Sequence, residues 1–506
     1  MALKASVVLD RVTGRFTMYR LMIIVLGAIA ATTVILSLIP NAIAYSTGQL
    51  LATLVVCLVA TYVSNRLVAL VFRVKPHGES SIITALLIFF LFFPTTDSTR
   101  LLVLALICAI ASASKYLLAI RGRHIFNPAA IAALLIAFAQ LSAAVWWVGT
   151  PVLLAPVAIG AFVIVYRVRR FALVLTFIAV ALIISIVRLS VGGMDVPLAA
   201  WLALGSAPIV FFGGFMLDEP LTMAPLRYQQ VTIAVIVAVI MEVPFSVGPL
   251  YNSPELALVV GNLIAFLFGQ RRSIPLDFVS ARQLTPTTRE FTFAPARRVS
   301  FRPGQYMELS LPHAKPDARG VRRTFSVASA PGAPTVAFGI RVPEVASTFK
   351  RSLGELQPGT RLRGTSVGGD FLLPRDTTVP LLLVAGGIGI TPFISQLAHI
   401  TANGEHRDIV VVYAVRDTDE LAYASELESA GVPVLVVAPT RPGYLPGGWE
   451  YLGSGHLDAT QLADRVPRLT ARAAYVSGPP SMVTSLRRDL RALGLRHVRS
   501  DYFSGY

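Results

Sequence analysis

Four consecutive residues in the second half of the chain, Arg323-Thr324-Phe325-Ser326, combine side chains that could hold a flat, charged cofactor. The guanidinium can donate two hydrogen bonds to a pyrophosphate, and a charge-assisted contact of this kind is worth roughly 1.5–3 kcal/mol. The aromatic ring can lie along a flavin, and the serine hydroxyl can hydrogen-bond to it. Alone, the tetrad is also typical of an ordinary amphipathic edge strand, so its neighbours decide its meaning.

A glycine-rich turn lies further along the chain. Gly386, Gly387 and Gly389 follow an apolar strand, and Thr391 and Pro392 then open a helix. Glycine lets the backbone approach a phosphate, and the N-terminus of a helix favours its negative charge. A lone Gly-x-Gly is also an ordinary turn. After a strand and after the Arg-x-Phe-Ser tetrad, it predicts a dinucleotide-binding site.

The composition divides the chain into an apolar half and a half of normal charge. Of the 506 residues, 54% are hydrophobic and 14% are charged, which is too apolar for an average soluble protein. Residues 1–272 carry 18 Lys/Arg and 8 Asp/Glu, whereas residues 273–506 carry 26 and 20. We therefore expect a membrane domain followed by a soluble one. The net charge of +16 does not indicate a nucleic acid partner, because no basic stripe with interleaved aromatic residues occurs.

The membrane half contains ten apolar runs. The first follows several basic residues, and we expect it to be retained as a helix rather than cleaved as a signal peptide. Several runs are shorter than the ~20 residues of a full crossing, which indicates half-spans or broken helices. The runs lie near residues 21–40, 48–72, 81–94, 101–119, 128–147, 151–166, 171–189, 199–217, 229–248 and 255–268.

Basic residues between these runs predict the orientation of the chain in a prokaryotic cell membrane. If the N-terminus is inside, the outer loops hold only Arg100 and Arg188, and most of the remaining Lys and Arg residues fall on the inner side. Cytoplasmic loops carry such an excess of positive charge. Both termini and the soluble half are therefore predicted to be cytoplasmic.

Short sequence matches suggest an internal repeat of opposite orientation. Residues 126–130 open the fifth run from inside, and residues 251–255 open the tenth from outside. Residues 93–97 close the third run outside, and residues 217–222 close the eighth inside. Two inverted five-helix halves would place a binding site at their junction. The alternative is that Asn-Pro and Asp-x-Pro are common where helices begin.

Cysteine and histidine positions restrict the redox centres that the membrane half could hold. Cys57 and Cys108 both lie inside apolar runs, so we expect no metal site and no iron–sulfur centre. His77 and His124 lie at the inner edge and are expected to be loop or capping residues rather than haem ligands. Glu242 and Glu255 are predicted to be solvated carboxylates at the membrane surface, with an ion path as the alternative.

The membrane half resembles the RnfD/NqrB family, the membrane subunits of the Rnf and sodium-pumping NADH:quinone reductase complexes. The resemblance spans roughly residues 15–270 and rests on the order of several modest motifs. It implies a redox role, with a quinone or an extracytoplasmic FMN-binding protein as the electron acceptor. That family attaches FMN to a threonine of a Ser-Gly-Ala-Thr-like segment, which this chain lacks, so a second flavin here would be non-covalent. The motifs are Ser80-Ser81-x-x-Thr84, Lys115, residues 124–129, residues 215–220 and Ser253-Pro254-Glu255.

The soluble half changes character along its length. Residues 273–376 show short alternating strands separated by Pro/Gly turns, which predicts a small antiparallel barrel. Residues 377–506 show apolar strands alternating with helical stretches, which predicts a parallel α/β sheet. The first of these domains contains the Arg-x-Phe-Ser tetrad, and the second contains the glycine-rich turn.

From about residue 275 onward, four sequence elements resemble the ferredoxin–NADP reductase superfamily. They begin with the turn Arg302-Pro303-Gly304-Gln305 and end near the C-terminus. By this resemblance a first group of residues holds FAD, with Ser347 and Thr348 at its pyrophosphate. That group is Tyr306, Arg323, Thr324, Phe325, Ser326, Ile340, Arg341, Val342, Ser347, Thr348, Gly369, Asp370 and Phe371.

The same resemblance assigns the nucleotide site. Ser477, followed by Gly478 and Pro479, stands where the family has a cysteine beside the nicotinamide, and its hydroxyl could still orient the ring. Phe503 and Tyr506 are candidates to cover the flavin face, although they could equally pack a terminal strand. Two further positions bear on the choice between NADH and NADPH, which stays open. Arg416 could reach a 2′-phosphate or lie in solvent, whereas Asp417 slightly favours NADH.

These features together predict a membrane-bound flavoprotein that passes electrons from NAD(P)H through FAD to the membrane half. Two alternatives come from other classes of protein. The membrane half could be a solute or ion carrier with a fused regulatory reductase, although no paired intramembrane charges are expected from the sequence. It could also be a simple anchor, for which one helix would suffice.

Overall fold

A computed structural model describes residues 13, 16–74, 76, 78–120, 123–248, 250–270, 274–317, 320–454, 457 and 459–502. Contacts divide the chain into two compact units. One contains Arg11–Arg271 and the other contains Arg272–Tyr506. The first is helical, and the second contains two six-stranded sheets.

Each apolar run of the first unit contains helix. Two short hairpins, β1 with β2 and β3 with β4, lie between helices. The elements are α1 (Met18–Leu36), α2 (Thr47–Val71), α3 (Gly78–Leu91), α4 (Ser98–Leu117), β1 (Ala119–Ile120), β2 (Arg123–His124), α5 (Pro128–Phe138), α6 (Pro151–Val168), α7 (Phe171–Val191), α8 (Val196–Gly205), α9 (Ile209–Phe211), α10 (Arg227–Glu242), β3 (Ser246–Val247), β4 (Leu250–Tyr251) and α11 (Pro254–Ala265). Helix α9 continues as a π-helical turn, Phe212–Leu217, and α11 continues as another, Phe266–Gln270.

The prediction of ten membrane spans is not confirmed. Among the described residues, five helices are long and apolar enough to cross a membrane, namely α1, α2, α4, α6 and α7. A sixth span is possible if α8 and the helix from Ile209 to Leu217, bent by 47°, count as one. The run 128–147 shows why the others fall short. Its helix ends at Phe138, and the amides of Val145 and Trp146 instead donate to the carbonyl of Leu91 at the end of α3.

Helix packing in the first unit follows a similar order in its two halves. In the first half, α2 packs on α4, and α4 packs on α5. In the second half, α7 packs on α10 in the same way, and α10 packs on α11. The two halves meet where α5 contacts α11 and where α1 contacts α6. Small residues allow close approach in the second half: a Cβ on Gly214 would lie 2.4 Å from the Ala161 Cβ.

The second unit begins with an antiparallel sheet. Its strand order is β8-β7-β10-β5-β6-β9. Beyond the ends of the paired strands, the Ala328 amide donates to the Ala337 carbonyl at 2.8 Å, which links the β8 side to β9. Closure into a barrel stays a prediction. The strands are β5 (Ile274–Thr285), β6 (Thr288–Pro295), β7 (Tyr306–Ser310), β8 (Arg322–Ser326), β9 (Val336–Arg341) and β10 (Arg361–Gly368), and helix α12 (Thr348–Gly354) lies between the last two.

A parallel sheet of order β14-β13-β12-β11-β15-β16 completes the second unit. Its central strands are apolar and buried, as expected when helices cover both faces of a sheet. The elements are β11 (Leu381–Gly386), α13 (Thr391–Ala402), β12 (Ile409–Ala414), α14 (Ala424–Ser429), β13 (Val434–Val437), β14 (Trp449–Gly453), α15 (Ala459–Arg465), β15 (Ala473–Gly478), α16 (Pro480–Ala492) and β16 (Val498–Tyr502).

Candidate functional site

Strands β7 and β8 place the predicted flavin residues side by side. Tyr306 pairs with Ser326, and Met307 pairs with Phe325. Arg323 and Ser326 are buried, whereas Thr324 is exposed between them. Because side chains alternate along a strand, Arg323 and Phe325 lie on one face of β8, and Ser326 lies on the other face.

The guanidinium of Arg323 is held by several contacts. Its Nη2 donates to Asp317 Oδ1 at 3.2 Å, and its Nη1 donates to the Gly320 carbonyl at 3.1 Å. The Phe349 ring lies 5.3 Å below the guanidinium carbon. A cation restrained in this way is preorganised to meet an anionic ligand.

Asp317 connects Arg323 to the predicted pyrophosphate residues. The Asp317 amide donates to Thr348 Oγ1 at 3.0 Å, and the Ser347 hydroxyl caps α12 by accepting from the Lys350 amide at 3.4 Å. His313 Nε2 also lies 3.0 Å from Thr348 Oγ1. The structure thus brings Arg323, Ser347 and Thr348 into one region, while the two hydroxyls already have protein partners.

The turn before the tetrad is fixed to the segment that follows β10. Gln305 Nε2 donates to the Gly369 carbonyl at 3.0 Å. At Gly304, with φ of +91°, a Cβ would lie 2.3 Å from the Phe371 carbonyl. At Gly369, with φ of +105°, a Cβ would lie 3.1 Å from the Tyr306 ring. Only glycine fits either position.

Other predicted flavin residues lie further from this region's polar groups. Ile340 is buried in the core of the antiparallel sheet. Arg341 is exposed, and its Nε donates to Thr287 Oγ1 at 3.1 Å. The Val342 amide donates to the Thr287 carbonyl. Asp370 is exposed. A flavin contact at these residues stays a prediction.

The three glycines of the glycine-rich turn differ in the space around them. Gly387, with φ of +54°, has nothing within 4 Å of where a Cβ would lie. At Gly386 a Cβ would lie 2.7 Å from the Met482 Sδ, and at Gly389 it would lie 2.4 Å from the Ser477 carbonyl. Gly387 therefore leaves its backbone open to a ligand, whereas Gly386 and Gly389 let strands and helix approach closely.

The helix after this turn is prepared for an anion. Thr391 Oγ1 donates to the Ile388 carbonyl at 2.8 Å, and Pro392 lies in the first turn of α13. Proline is favoured there because the missing amide hydrogen would have no partner within the helix. The twelve-residue helix thus begins beside the open backbone of Gly387.

Ser477 is the next-to-last residue of β15, which lies between β11 and the edge strand β16. Its side chain is fully buried, and its Oγ has no hydrogen-bond partner among the described residues. Gly478, with φ of +150°, lies so close to β11 that a Cβ would be 3.0 Å from the Gly386 Cα, and Pro479 follows as the cap of α16. A buried hydroxyl without a protein partner is expected where a ligand supplies one.

The edge strand β16 adds a carboxylate beside Ser477. Asp501 pairs with Ser477 in the sheet register. Burial, together with the nearby charge of Asp370, raises the pKa of Asp501 to about 6, although the Tyr502 amide favours its ionised form. This carboxylate was not among the predicted residues, because its importance depends on which strand it pairs with.

Phe503 and Tyr506 lie outside the described residues. Arg416 is exposed at the end of β12.

The residues present in this unit fit FAD and a nicotinamide nucleotide. The restrained Arg323 can meet an anion, Gly387 is open above a helix N-terminus, and Ser477 has an unused hydroxyl. These are the features that a phosphate-rich cofactor and a polar ring require.

A second polar site, which we call the membrane cluster, lies in the helical unit. It is centred on Glu219, which follows the π-helical turn. Glu219 Oε1 is 2.9 Å from His124 Nε2, and Oε2 accepts from Asn127 Nδ2 at 3.0 Å and from Thr222 Oγ1 at 3.3 Å. His124 lies in the hairpin between α4 and α5, as expected of a loop residue, and in addition it contacts Glu219.

The membrane cluster joins the two halves of the helical unit. Asn262 in α11 accepts from the Asn127 amide at 2.8 Å. Lys115 in α4 donates to the carbonyl and the hydroxyl of Ser80, at 2.9 and 3.0 Å. Most of these residues belong to the motifs of the RnfD/NqrB resemblance. Their contacts could not be predicted from the sequence, because Asn127 is 92 residues from Glu219 and 135 residues from Asn262.

Glu242 and Glu255 are not solvated as predicted. Glu242 is 5% exposed and accepts from the Ser185 hydroxyl at 2.5 Å. Glu255 is 2% exposed and accepts from the Trp146 Nε1 at 3.2 Å. Both predictions were wrong because residues distant in sequence, which a linear hydropathy pattern does not reveal, cover these carboxylates.

Part of the second unit matches a known domain. Residues 383–488 match the family described as an oxidoreductase NAD-binding domain. An NADPH oxidoreductase from Mycobacterium tuberculosis is 27% identical over 188 residues, covering 36% of this chain and 47% of that protein. A ferredoxin–NADP reductase B from Sorangium cellulosum is 33% identical over 155 residues, covering 30% and 62%. The electron transfer component of a toluate 1,2-dioxygenase from Pseudomonas putida is 28% identical over 235 residues, covering 44% and 65%.

The chain spans less than two thirds of the length of these relatives, so the matches identify a domain rather than a whole protein. The resemblance of the helical unit to RnfD/NqrB stays a prediction. For the second unit, the prediction of a ferredoxin reductase-type oxidoreductase with FAD and NAD(P)H as cofactors is confirmed.

Proposed function

We propose that the protein is a membrane-bound reductase that takes electrons from cytoplasmic NAD(P)H and delivers them to or through its helical unit. The single observation that carries this proposal is one chain holding both an oxidoreductase NAD-binding domain and several helices long enough to cross a membrane. We assign residues 1–272 to the membrane domain, 273–376 to the FAD domain and 377–506 to the nucleotide domain.

The geometry of the second unit supports a proposal for the cofactor contacts. Arg323, with Ser347 and Thr348, would hold the FAD pyrophosphate, and Tyr306 and Ser326 would flank its ring. Gly387 and the start of α13 would take the phosphates of the nucleotide, and Ser477 would hydrogen-bond to the nicotinamide. When bound, FAD accepts a hydride (a proton with two electrons) from NAD(P)H and a further proton from water, and it can then release electrons singly.

The helical unit is proposed to be an RnfD/NqrB-like redox domain with inverted halves. Matching helix contacts in the two halves support the repeat, and the membrane cluster lies where α5 and α11 meet, as such repeats would require. A flavin at the inner face would be about 30 Å from the outer one. Transmembrane transfer therefore needs a second carrier, which we propose to be a non-covalent flavin or a quinone, with a quinone or an extracytoplasmic FMN-binding protein as final acceptor.

One observation favours a second candidate function. The partly buried contact between His124 and Glu219 is the kind of feature found along ion and proton paths. A carrier with a fused reductase is therefore the second candidate. An anchor would need no such pair.

Two measurements on the full-length chain separate these functions. Cofactor extraction is expected to yield FAD together with FMN, riboflavin or quinone; FAD alone would favour the anchor or the carrier. In sealed vesicles with the reductase outside, NADH is expected to reduce an acceptor trapped inside. Reduction of outside acceptors only would eliminate transmembrane transfer, and a preparation without flavin absorbance would eliminate the reductase as well.

A further inference from the structure

The loop after β12 joins the nucleotide domain to the antiparallel sheet. Within it, Glu420 reaches the turn between β5 and β6. Its Oε2 accepts from Thr285 Oγ1 at 2.6 Å and from Thr288 Oγ1 at 3.4 Å, and its Oε1 accepts from the Thr287 amide at 3.0 Å. One carboxylate thus accepts from three donors of a single hairpin turn, and this attaches the turn to the loop after β12.

Neighbouring contacts repeat this attachment. Arg282 of β5 donates to Glu290 on the paired strand β6 and to Glu426 of α14. Tyr423, buried and with φ of +61°, packs so closely on β9 that a Cβ on Gly339 would lie 2.6 Å from its hydroxyl. We call the contacts of Glu420, Tyr423 and Glu426 with the antiparallel sheet the interdomain clasp.

The other end of the same loop lies at the nucleotide edge of the parallel sheet. Arg416 is the second residue after β12, at the carboxyl end of the strands where ligands bind to such sheets. Thr418 Oγ1 lies 2.8 Å from Thr440 Oγ1, which ties the loop to the segment after β13. A few residues therefore connect the expected nucleotide edge to the flavin domain.

We propose that Glu420 is a positioning residue for hydride transfer, fixing the nucleotide domain against the flavin domain so that nicotinamide and flavin meet at reacting distance. The inference rests on the proposed reductase function. Glu420 does not touch the reacting atoms, and it acts through the hairpin turn. Hydride transfer is steeply sensitive to such placement, because a misplacement of about 1 Å can cost on the order of 100-fold in rate.

The test compares Glu420→Gln with Glu428→Gln in the full-length protein, loaded with FAD. Glu428 lies on α14 and accepts from Tyr444 at 3.1 Å, away from the clasp, so it is a matched control. We expect Glu420→Gln to slow flavin reduction by about 10- to 100-fold. The KM for NADH should change less than about twofold, because the nucleotide contacts remain. The isotope effect with deuterated NADH should also rise as the chemical step becomes limiting.

A second readout does not depend on activity. Hydrogen exchange at the Thr287 amide should become faster in Glu420→Gln and stay unchanged in Glu428→Gln, because only the first variant replaces the charged acceptor of this amide by a neutral, weaker one. If Glu420→Gln does not fold, Thr285→Val removes the shortest contact from the other side and is expected to give the same kinetic pattern.

The outcomes separate this inference from the proposed function. Failure of the wild-type protein to reduce its flavin with NADH or NADPH would refute the proposed function. A wild-type protein that does so, with clasp variants whose reduction rate equals that of Glu428→Gln, would refute the positioning role alone. A slower rate accompanied by an equal rise in KM would also refute it, because the effect would then be on nucleotide binding.

Discussion

The Ser477 hydroxyl of the nucleotide region and the Glu219 carboxylate of the membrane cluster are used in opposite ways. In the nucleotide region, the Ser477 hydroxyl is buried and has no partner among the described residues, so it is available to a ligand. In the membrane cluster, Glu219 already accepts from three side chains. A site next to water can leave a polar group for a ligand, whereas a group among apolar helices is costly unless the protein satisfies it.

This difference predicts different responses to mutation. In the flavin region, loss of a side chain should mainly reduce cofactor binding or rate. In the membrane cluster, it should reduce both stability and electron delivery, because the contacts of Glu219 and Asn262 with His124 and Asn127 join the two halves of the unit.

Replacing Arg323 by alanine should have the largest effect. The guanidinium is 5% exposed and pairs with Asp317, and removing one partner of a buried pair costs up to about 3–5 kcal/mol. The predicted contact with the FAD pyrophosphate would be lost as well. We expect the purified full-length variant to lack flavin absorbance. Arg363→Ala, at an exposed position on β10, should retain FAD. An Arg323→Ala protein with a full complement of FAD would show that another residue holds the pyrophosphate.

The flavin region was predictable because its signals are local. The tetrad, the glycine-rich turn and the segment around Ser477 are each continuous in sequence, and the strands that carry them have clear apolar patterns. The role of each glycine was not predictable, because only packing separates the open Gly387 from the crowded Gly389. The interdomain clasp was also missed, since Glu420 and Thr285 are 135 residues apart.

The helical unit was predictable as apolar and membrane-associated, but its polar contacts were not. Hydropathy locates runs of apolar residues and says nothing about which helices touch. The same limitation explains the count of spans: residues 128–147 are predominantly apolar, yet only Pro128–Phe138 is helical. A proline and capping asparagine mark where that helix begins, and no comparable signal marks its end.

Glu219→Gln should give the next largest effect and sharpens the comparison. It removes the charge that His124 and Asn127 contact, and hydrogen bonds to a charged group are worth about 1.5–3 kcal/mol. We expect a lower melting temperature and slower reduction of an acceptor inside vesicles, with unchanged NADH-driven reduction of a soluble acceptor outside. Glu79→Gln, which affects the exposed pair with Arg20, is the control. Equal loss of both activities would argue against a separate role for the membrane cluster.

Ser477→Ala should slow flavin reduction without destabilising the protein. Its hydroxyl has no partner among the described residues, so no protein hydrogen bond is lost. Ser395→Ala is the matched comparison, because that serine is equally buried but donates to the Ser329 carbonyl at 2.7 Å. The Ser395 variant should lose about 1 kcal/mol of unfolding free energy and the Ser477 variant about none. Stopped-flow reduction and thermal unfolding measure the two effects, and an equally destabilised Ser477→Ala would mean that its hydroxyl is structural.

The smallest expected effect concerns pH. Burial and the charge of Asp370 raise the pKa of Asp501 from its ordinary 3.8 to about 6, so the folded state binds this proton more tightly than the unfolded state does. Between about pH 4 and 6 the free energy of unfolding should therefore fall as pH rises, and it should level off above that range. Asp501→Asn removes this dependence, whereas Asp464→Asn, at an exposed position on α15, should keep it. Release of FAD fluorescence on heating, recorded across this range, measures the effect. If the Asp501 variant keeps the wild-type slope, another group of the reductase unit titrates there, and the carboxylate beside Ser477 is already ionised in the folded protein.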